Sequence, residues 1–132
     1  MKAILILIVL LLIILSVEWY DRDDSMVICM LSYNAERVSP GITNECSISS
    51  GDSTYTLNKK KIYILLKDDN RNYYNFSTLF YALLHEIAHV LCPDIGHTSM
   101  FFYIFNGLLK KAFYLGLYRG NVDRNYCREC VV

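Results

Sequence analysis

The stretch His85-Glu86-Ile87-Ala88-His89 decides how the rest of the chain is organised. On a helix, residues i and i+4 lie one turn apart on the same face, so both imidazoles can face one point. A catalytic zinc ion takes three protein ligands and keeps one position open. Glu86 lies beside that face, where its carboxylate can take a proton from a water that the metal acidifies. The stretch therefore predicts a metal-binding helix with a general base.

The flanking sequence predicts the extent of this helix and provides a third ligand. Apolar residues recur at helical spacing from Leu79 to Val90, and Pro93 ends the pattern. His97 follows a turn, and the chain has 3 histidines in all. We expect the three histidines to hold one Zn²⁺ ion together. The alternative is two helix histidines and a loop histidine that share no ion.

His85-Glu86-x-Ala-His89 followed by Gly96-His97-x-x-x-Phe101 resembles the small zincin metallopeptidases of the WLM and SprT-like type. In that family the same pattern joins two helix histidines, a short loop, a third histidine and a phenylalanine. The resemblance covers residues 61–118, and this segment is similar to compact forms encoded by large DNA viruses. The loop between the second and third histidines differs from both subfamilies in length, so the subfamily remains open.

The resemblance implies an α+β fold, with a zincin-like domain built from a small β-hairpin or sheet and an active-site helix. It implies hydrolysis of peptide bonds in a protein or peptide substrate, with His85, His89 and His97 as zinc ligands and Glu86 as general base. The strand over residues 62–66 would form the upper lip of the cleft, where an extended peptide can add to its edge.

Two other functions fit the same residues. The first is a catalytically silent zinc-binding structural or interaction protein of a membrane or virion. The second is a membrane-tethered interaction module whose histidines are incidental. A structural zinc site prefers a fourth protein ligand, for which Cys92 is nearest in the sequence. The presence of Glu86 favours the enzyme, because a structural site has no use for a base.

Residues 3–17 form an apolar run of Ala, Ile, Leu, Val and one Ser. A helix of about 15 residues is about 22 Å long, and the hydrocarbon core of a bilayer is about 30 Å thick. With Lys2 on one side and Trp19-Tyr20 on the other, the run predicts an uncleaved transmembrane signal anchor over residues 1–20. The metallopeptidase domain is then expected over residues 21–132. A cleaved signal peptide is the alternative.

The charges around this run set the expected location of the domain. Lys2 precedes the run, whereas acidic residues follow it, so the positive-inside rule leaves the domain on the non-cytoplasmic side of a single-pass membrane protein. The net charge of the whole chain is zero, and no basic patch is evident beyond Lys59-Lys60-Lys61, a run expected to lie on a turn, so nothing indicates nucleic-acid binding. The oligomeric state remains open.

The remaining predicted elements are a helix, a loop, a hairpin and a last helix, over residues 25–37, 41–52, 54–67 and 98–118. Asp24 is the expected N-cap of the first of these helices. Asn75 or Ser77 is expected to begin the metal-binding helix. Phe101 lies four residues past His97, where it is expected to be a buried residue of the last helix that packs against the metal-binding helix.

All five cysteines follow the apolar run: Cys29, Cys46, Cys92, Cys127 and Cys130. In an oxidising compartment they allow two disulfides and one free thiol. The preferred pairs are Cys92 with Cys127 and Cys29 with Cys46, although connectivity does not follow from sequence. Cys127-x-x-Cys130 alone is a weak signal for a second zinc or redox site.

Overall fold

Four helices and a three-stranded sheet make up the described part of the chain. The computed structural model describes residues 1–126, apart from the side chains of residues 18–22. The helices are α1 (Lys2–Val38), α2 (Ile42–Glu45), α3 (Phe76–Leu91) and α4 (Ser99–Tyr114). The strands are β1 (Ser47–Ser50), β2 (Tyr55–Leu57) and β3 (Lys61–Ile64). The predicted α+β class agrees with this set of elements.

The first helix corrects the prediction for the N-terminal region. Among the residues whose side chains the structure describes, 1–17 and 23–126, no helix is both long enough and apolar enough to cross a membrane. The predicted transmembrane helix, and with it the single-pass membrane localisation, is therefore wrong. The apolar run over residues 3–17 is shorter than the roughly 20 residues that a spanning helix needs. The helix that carries it also continues without a break past Asp24, so the predicted helix start there is wrong too.

The C-terminal part of α1 belongs to the core. Leu31, Ala35 and Val38 have 0%, 0% and 2% of their surface exposed, and they recur at the spacing of one helical face. This face packs against the sheet and α3. The helix ends at Val38, close to the predicted end at residue 37, and Ser39 is its C-cap.

The sheet has the strand order β1-β3-β2, with β3 in the middle. β2 and β3 pair antiparallel around a turn at residues 58–60, which confirms the predicted hairpin. β1 pairs parallel to β3, so the predicted loop over residues 41–52 is wrong. β1 is largely exposed, and Ile48 alone is half-buried. Its sequence, Ser-Ile-Ser-Ser, is therefore mostly polar and has the composition of a loop.

The helix predicted to bind metal, α3, begins and ends where the sequence predicts. Asn75 is the N-cap of α3, and its side chain accepts a hydrogen bond from the backbone N–H of Thr78 at 2.8 Å. The helix ends at Cys92, before Pro93. Because residues 78–88 are buried all round, α3 is the central helix of the fold.

The last helix begins at the predicted place and ends earlier than predicted. Thr98 is its N-cap, and its Oγ1 accepts a hydrogen bond from the backbone N–H of Phe101 at 3.3 Å. At the other end Gly116 has a φ of 74°, and the backbone N–H of Leu117 donates to the carbonyl of Ala112 at 2.9 Å. This left-handed glycine ends α4 before Tyr118.

The described cysteines form no disulfide with one another. Cys29 is exposed and Cys46 is buried, and both are free thiols, so the predicted Cys29–Cys46 pair is wrong. The thiol of Cys46 donates a hydrogen bond to the carbonyl of Ile42 at 3.4 Å. Cys127 and Cys130 lie outside the described residues, and with them the predicted pair with Cys92.

Candidate metal centre

Three imidazoles from two elements converge on one point. His85 and His89 lie one turn apart on α3, and His97 reaches them from the loop over residues 93–97, here called the third-ligand loop. The Nε2 atom of His97 is 3.1 Å from Nε2 of His85 and 3.1 Å from Nε2 of His89. One ligand atom from each histidine lies within 4.8 Å of the others. The structure thus brings together the three histidines that the sequence singled out.

This spacing fits a zinc ion. Nitrogens that lie about 2.0–2.1 Å from a tetrahedral zinc are about 3.3 Å from one another. Two of the three Nε2 pairs are close to that value, with no rearrangement of α3. Leaving aside the side chains of residues 18–22 and the chain beyond residue 126, the group contains no fourth histidine, cysteine or carboxylate. Cys92, the nearest candidate in the sequence for a fourth ligand, is buried at the end of α3 and outside this group.

Burial and the neighbouring charges lower the pKa of two of the three imidazoles, which favours the neutral form that binds metals. His85 is 4% exposed, and burial, followed by the charges of His89 and His97, lowers its pKa to about 3. The pKa of His89 is lowered by burial first, then by His97 and Lys59. The buried Nδ1 of His85 has no hydrogen-bond partner among the described residues.

The aromatic ring of Phe101 packs against the three histidines. Its side chain is fully buried, as the sequence predicts. Its ring centroid lies 4.4 Å from that of His89, in a stacked arrangement, and 5.0 Å and 4.8 Å from those of His85 and His97. A single phenylalanine on α4 therefore contacts all three candidate ligands and limits the rotation of each ring.

Glu86 lies beside the histidines and is held from the edge of the sheet. It is 5% exposed, and its carboxylate accepts a hydrogen bond from the hydroxyl of Thr56 on β2. Such a bond fixes one carboxylate oxygen and thus the orientation of the group. Sequence reasoning missed Thr56, because a threonine in a short strand carries no signal of its own.

A second residue missed in the sequence is Lys59, at the turn between β2 and β3. Its ammonium donates hydrogen bonds to three backbone carbonyls, those of His89 at 3.1 Å, Asp94 at 3.0 Å and Cys92. These carbonyls belong to the last turn of α3 and to the segment that follows it. Lys59 therefore joins the hairpin to the chain on both sides of the helix end.

The histidines and Glu86 open into a cleft of about 320 Å³. One wall is β2 with its turn, and the other is the third-ligand loop. The resemblance implied that the strand over residues 62–66 would offer a free edge there. That expectation is wrong, because β3 is the central strand and is paired on both sides. The edge strand beside the cleft is β2.

Three proteins of known sequence are similar to this chain. It is 43% identical over 91 residues to uncharacterized protein 136R of Invertebrate iridescent virus 6, covering 65% of this chain and 51% of that protein. It is 44% identical over 89 residues to uncharacterized protein 042R of Invertebrate iridescent virus 3, covering 65% and 56%. It is 33% identical over 69 residues to uncharacterized protein R325 of Acanthamoeba polyphaga mimivirus, covering 51% and 35%.

The chain spans about half the length of the two iridescent-virus relatives. No protein-family model and no solved structure matches it. None of the three relatives carries a name that states an activity, so what the site does has to be argued from its own geometry.

Proposed function

We propose that this chain is a zinc-dependent metallopeptidase of the zincin type, related to the WLM and SprT-like enzymes, and that it hydrolyses peptide bonds in a protein or peptide. One observation carries the proposal. Three imidazoles converge at the base of an open cleft, with a carboxylate beside them and no fourth protein ligand among the described residues. That donor set matches a catalytic zinc site with one open position.

Zn²⁺ in such a site supplies a Lewis acid that polarises a carbonyl and lowers the pKa of a water. Glu86 would accept a proton from the water as its oxygen bonds to the substrate carbonyl carbon, and would return that proton to the amine nitrogen as the C–N bond breaks. Thr56 holds the carboxylate in place for both transfers through its hydrogen bond. Phe101 excludes water from beneath the ligands and keeps their rings in position.

The edge of β2 gives the substrate a place to bind. β2 lies next to the cleft, and among the described strands it pairs with β3 alone. An extended peptide can add to such an edge through backbone hydrogen bonds, which align it without requiring a particular side chain. Tyr55 and Leu57 on this strand are each 44% exposed, so they are available to contact the substrate.

The test is a peptide-library digest with the zinc-loaded chain and its Glu86→Gln variant. The amide cannot accept the proton, so the variant should bind zinc normally and lose about 10²–10⁴-fold in turnover. Glu45→Gln, a change at an exposed glutamate of α2, is the matched control and should cleave as the parent does. Equal cleavage by parent and Glu86→Gln would remove Glu86 from the mechanism. If the parent chain binds zinc but cleaves no peptide in the library, the proposal that it is a metallopeptidase is contradicted.

A further inference from the structure

The ammonium of Lys59 is surrounded by backbone carbonyls. Its three hydrogen bonds go to His89, Cys92 and Asp94, and a lysine ammonium has three N–H groups to donate. The ammonium is therefore fully used by the protein. Although Lys59 lines the cleft, its charge is directed into the fold and is not available to a substrate carboxylate.

These carbonyls lie where α3 most needs a positive charge. The last four carbonyls of a helix have no partner within it, and the C-terminus carries the negative end of the helix dipole. In the last turn of α3 the basic residue is His89, whose imidazole is turned toward His97. Lys59 supplies the missing cation from a different element, and one of its partners is the backbone of a candidate ligand.

The backbone conformation at Lys59 is a second, independent observation. Asn58 and Lys59 have φ angles of 52° and 57°, both in the left-handed region. Turns of this kind favour asparagine at the first position and glycine at the second, because a side chain at positive φ is strained. A lysine at the second position carries this strain, whereas a glycine would not. The hydrogen bonds of the Lys59 ammonium offset the strain.

The third-ligand loop has little else to hold it. Residues 93–97 are all exposed, and Ile95 is 93% exposed, so burial does not fix the position of His97. On the far side of His97, the hydroxyl of Thr98 donates to the carboxylate of Asp94 at 2.9 Å. Asp94 is thus bound through its carbonyl by Lys59 and through its side chain by Thr98.

We propose that Lys59 is a positioning residue for the zinc site, which holds the end of α3 and the third-ligand loop together so that His97 stays beside His85 and His89. The inference rests on the zinc site of the proposed function. It does not rest on peptide hydrolysis, because the ligand geometry is what Lys59 controls. Removing it should leave the three histidines present and lower the affinity for zinc.

Zinc affinity is measured by competition with a chromogenic chelator, well below the unfolding temperature. Lys59→Met keeps the length of the side chain and removes the donors, and it should weaken zinc binding about tenfold, as other supports of metal ligands do. Lys60→Met is the matched control at the neighbouring exposed position of the same turn, and it should bind zinc as the parent does.

Lys59→Gly separates positioning from stability. Glycine removes the same side-chain contacts but also relieves the strain at positive φ. The metal-free Lys59→Gly variant should therefore unfold at or above the temperature that loss of the contacts alone would give, and it should fold even if Lys59→Met does not. Its zinc affinity should still fall about tenfold. If both variants bind zinc as tightly as Lys60→Met, the inference is overturned while the proposed zinc site stands. If the parent itself binds no zinc, the zinc site and the inference fall together.

Discussion

At the scale of single residues, the site combines three histidines with different surroundings. His85 is buried, His89 is half-buried and His97 is exposed. A buried imidazole keeps its position through packing, whereas an exposed one depends on its neighbours. Phe101 contacts all three rings, and Lys59 supports the loop of the exposed one. The position of His97 is therefore the most sensitive to substitutions that touch none of the ligands.

Phe101→Ala should lower both the stability of the fold and the affinity for zinc. A fully buried phenylalanine costs about 3–5 kcal/mol of unfolding free energy when truncated. Denaturant unfolding of the metal-free protein and a zinc titration measure the two effects. Phe113→Ala, at a position on the same helix that is 62% exposed, is the control and should change neither by much. Unchanged stability and zinc affinity in Phe101→Ala, with an altered peptide preference, would instead make Phe101 part of a substrate pocket.

Thr56→Val should slow peptide hydrolysis without weakening zinc binding. The variant keeps the shape of the side chain and loses the hydrogen bond to the Glu86 carboxylate. A hydrogen bond to a charged group contributes about 1.5–3 kcal/mol, so kcat should fall about tenfold or more while KM changes little. Thr56→Ser restores the hydroxyl and should recover most of the rate. A Thr56→Val enzyme that works at the parental rate would show that Glu86 needs no such support.

The sequence indicated which histidines converge better than it indicated the residues that hold them in place. His85, Glu86 and His89 are close in sequence, so helical spacing alone indicates their common face. Thr56 and Lys59 lie 30 to 35 residues before the groups that they contact. Their roles depend on how the hairpin packs against α3, and no local pattern contains that information.

At the scale of elements, the corner between α1 and α2 is stabilised by one carboxylate. Glu36 accepts hydrogen bonds from the backbone N–H of Gly41 at 2.5 Å, and from the N–H and hydroxyl of Thr43 at 3.1 Å and 2.9 Å. These hydrogen bonds lower the pKa of Glu36 from its ordinary value of 4.5. The backbone bond from Thr43 has the largest effect, followed by the bond from Gly41 and the bond from the Thr43 hydroxyl. The ionised carboxylate thus caps the start of α2 and connects it to α1.

Glu36→Gln should lower the melting temperature at neutral pH, and the difference from the parent should shrink in acid. Because the pKa is lower in the folded state, the stabilisation is present above the unfolded value near 4.5 and is lost as the pH falls through the folded pKa. Thermal unfolding of both proteins from neutral pH down to about pH 3 measures this. Glu45→Gln is again the control. A difference that stays constant over the whole range would exclude the ionised carboxylate as its source.

Some elements were predictable and others were not, for identifiable reasons. The hairpin and α3 follow from local signals, namely two β-rich runs around a polar turn and an apolar period ended by Pro93. β1 pairs parallel to β3, and the register joins Ser47 to Lys61. A parallel partner lies further along the chain, and three serines in four residues hide the strand among loop sequences.

At the scale of the whole molecule, the correct fold class came with an incorrect N-terminal region. The α+β class follows from a hairpin between helical patterns, and the core confirms it where α1, the sheet, α3 and α4 meet. The run over residues 3–17 was treated as a separate element because of its composition. In the structure it is the beginning of α1, whose later residues Leu31 and Ala35 are part of the core. Composition gives no information about where such a helix ends.

Zinc content tests the central claim most directly, because every other proposal depends on the three histidines sharing one ion. The full chain and its His97→Ala variant are saturated with zinc, separated from free metal and analysed for zinc per chain. The three converging Nε2 atoms predict about one zinc per chain for the parent, and its loss or a large reduction in the variant. A parent without zinc, or a variant that retains as much zinc as the parent, would contradict the account.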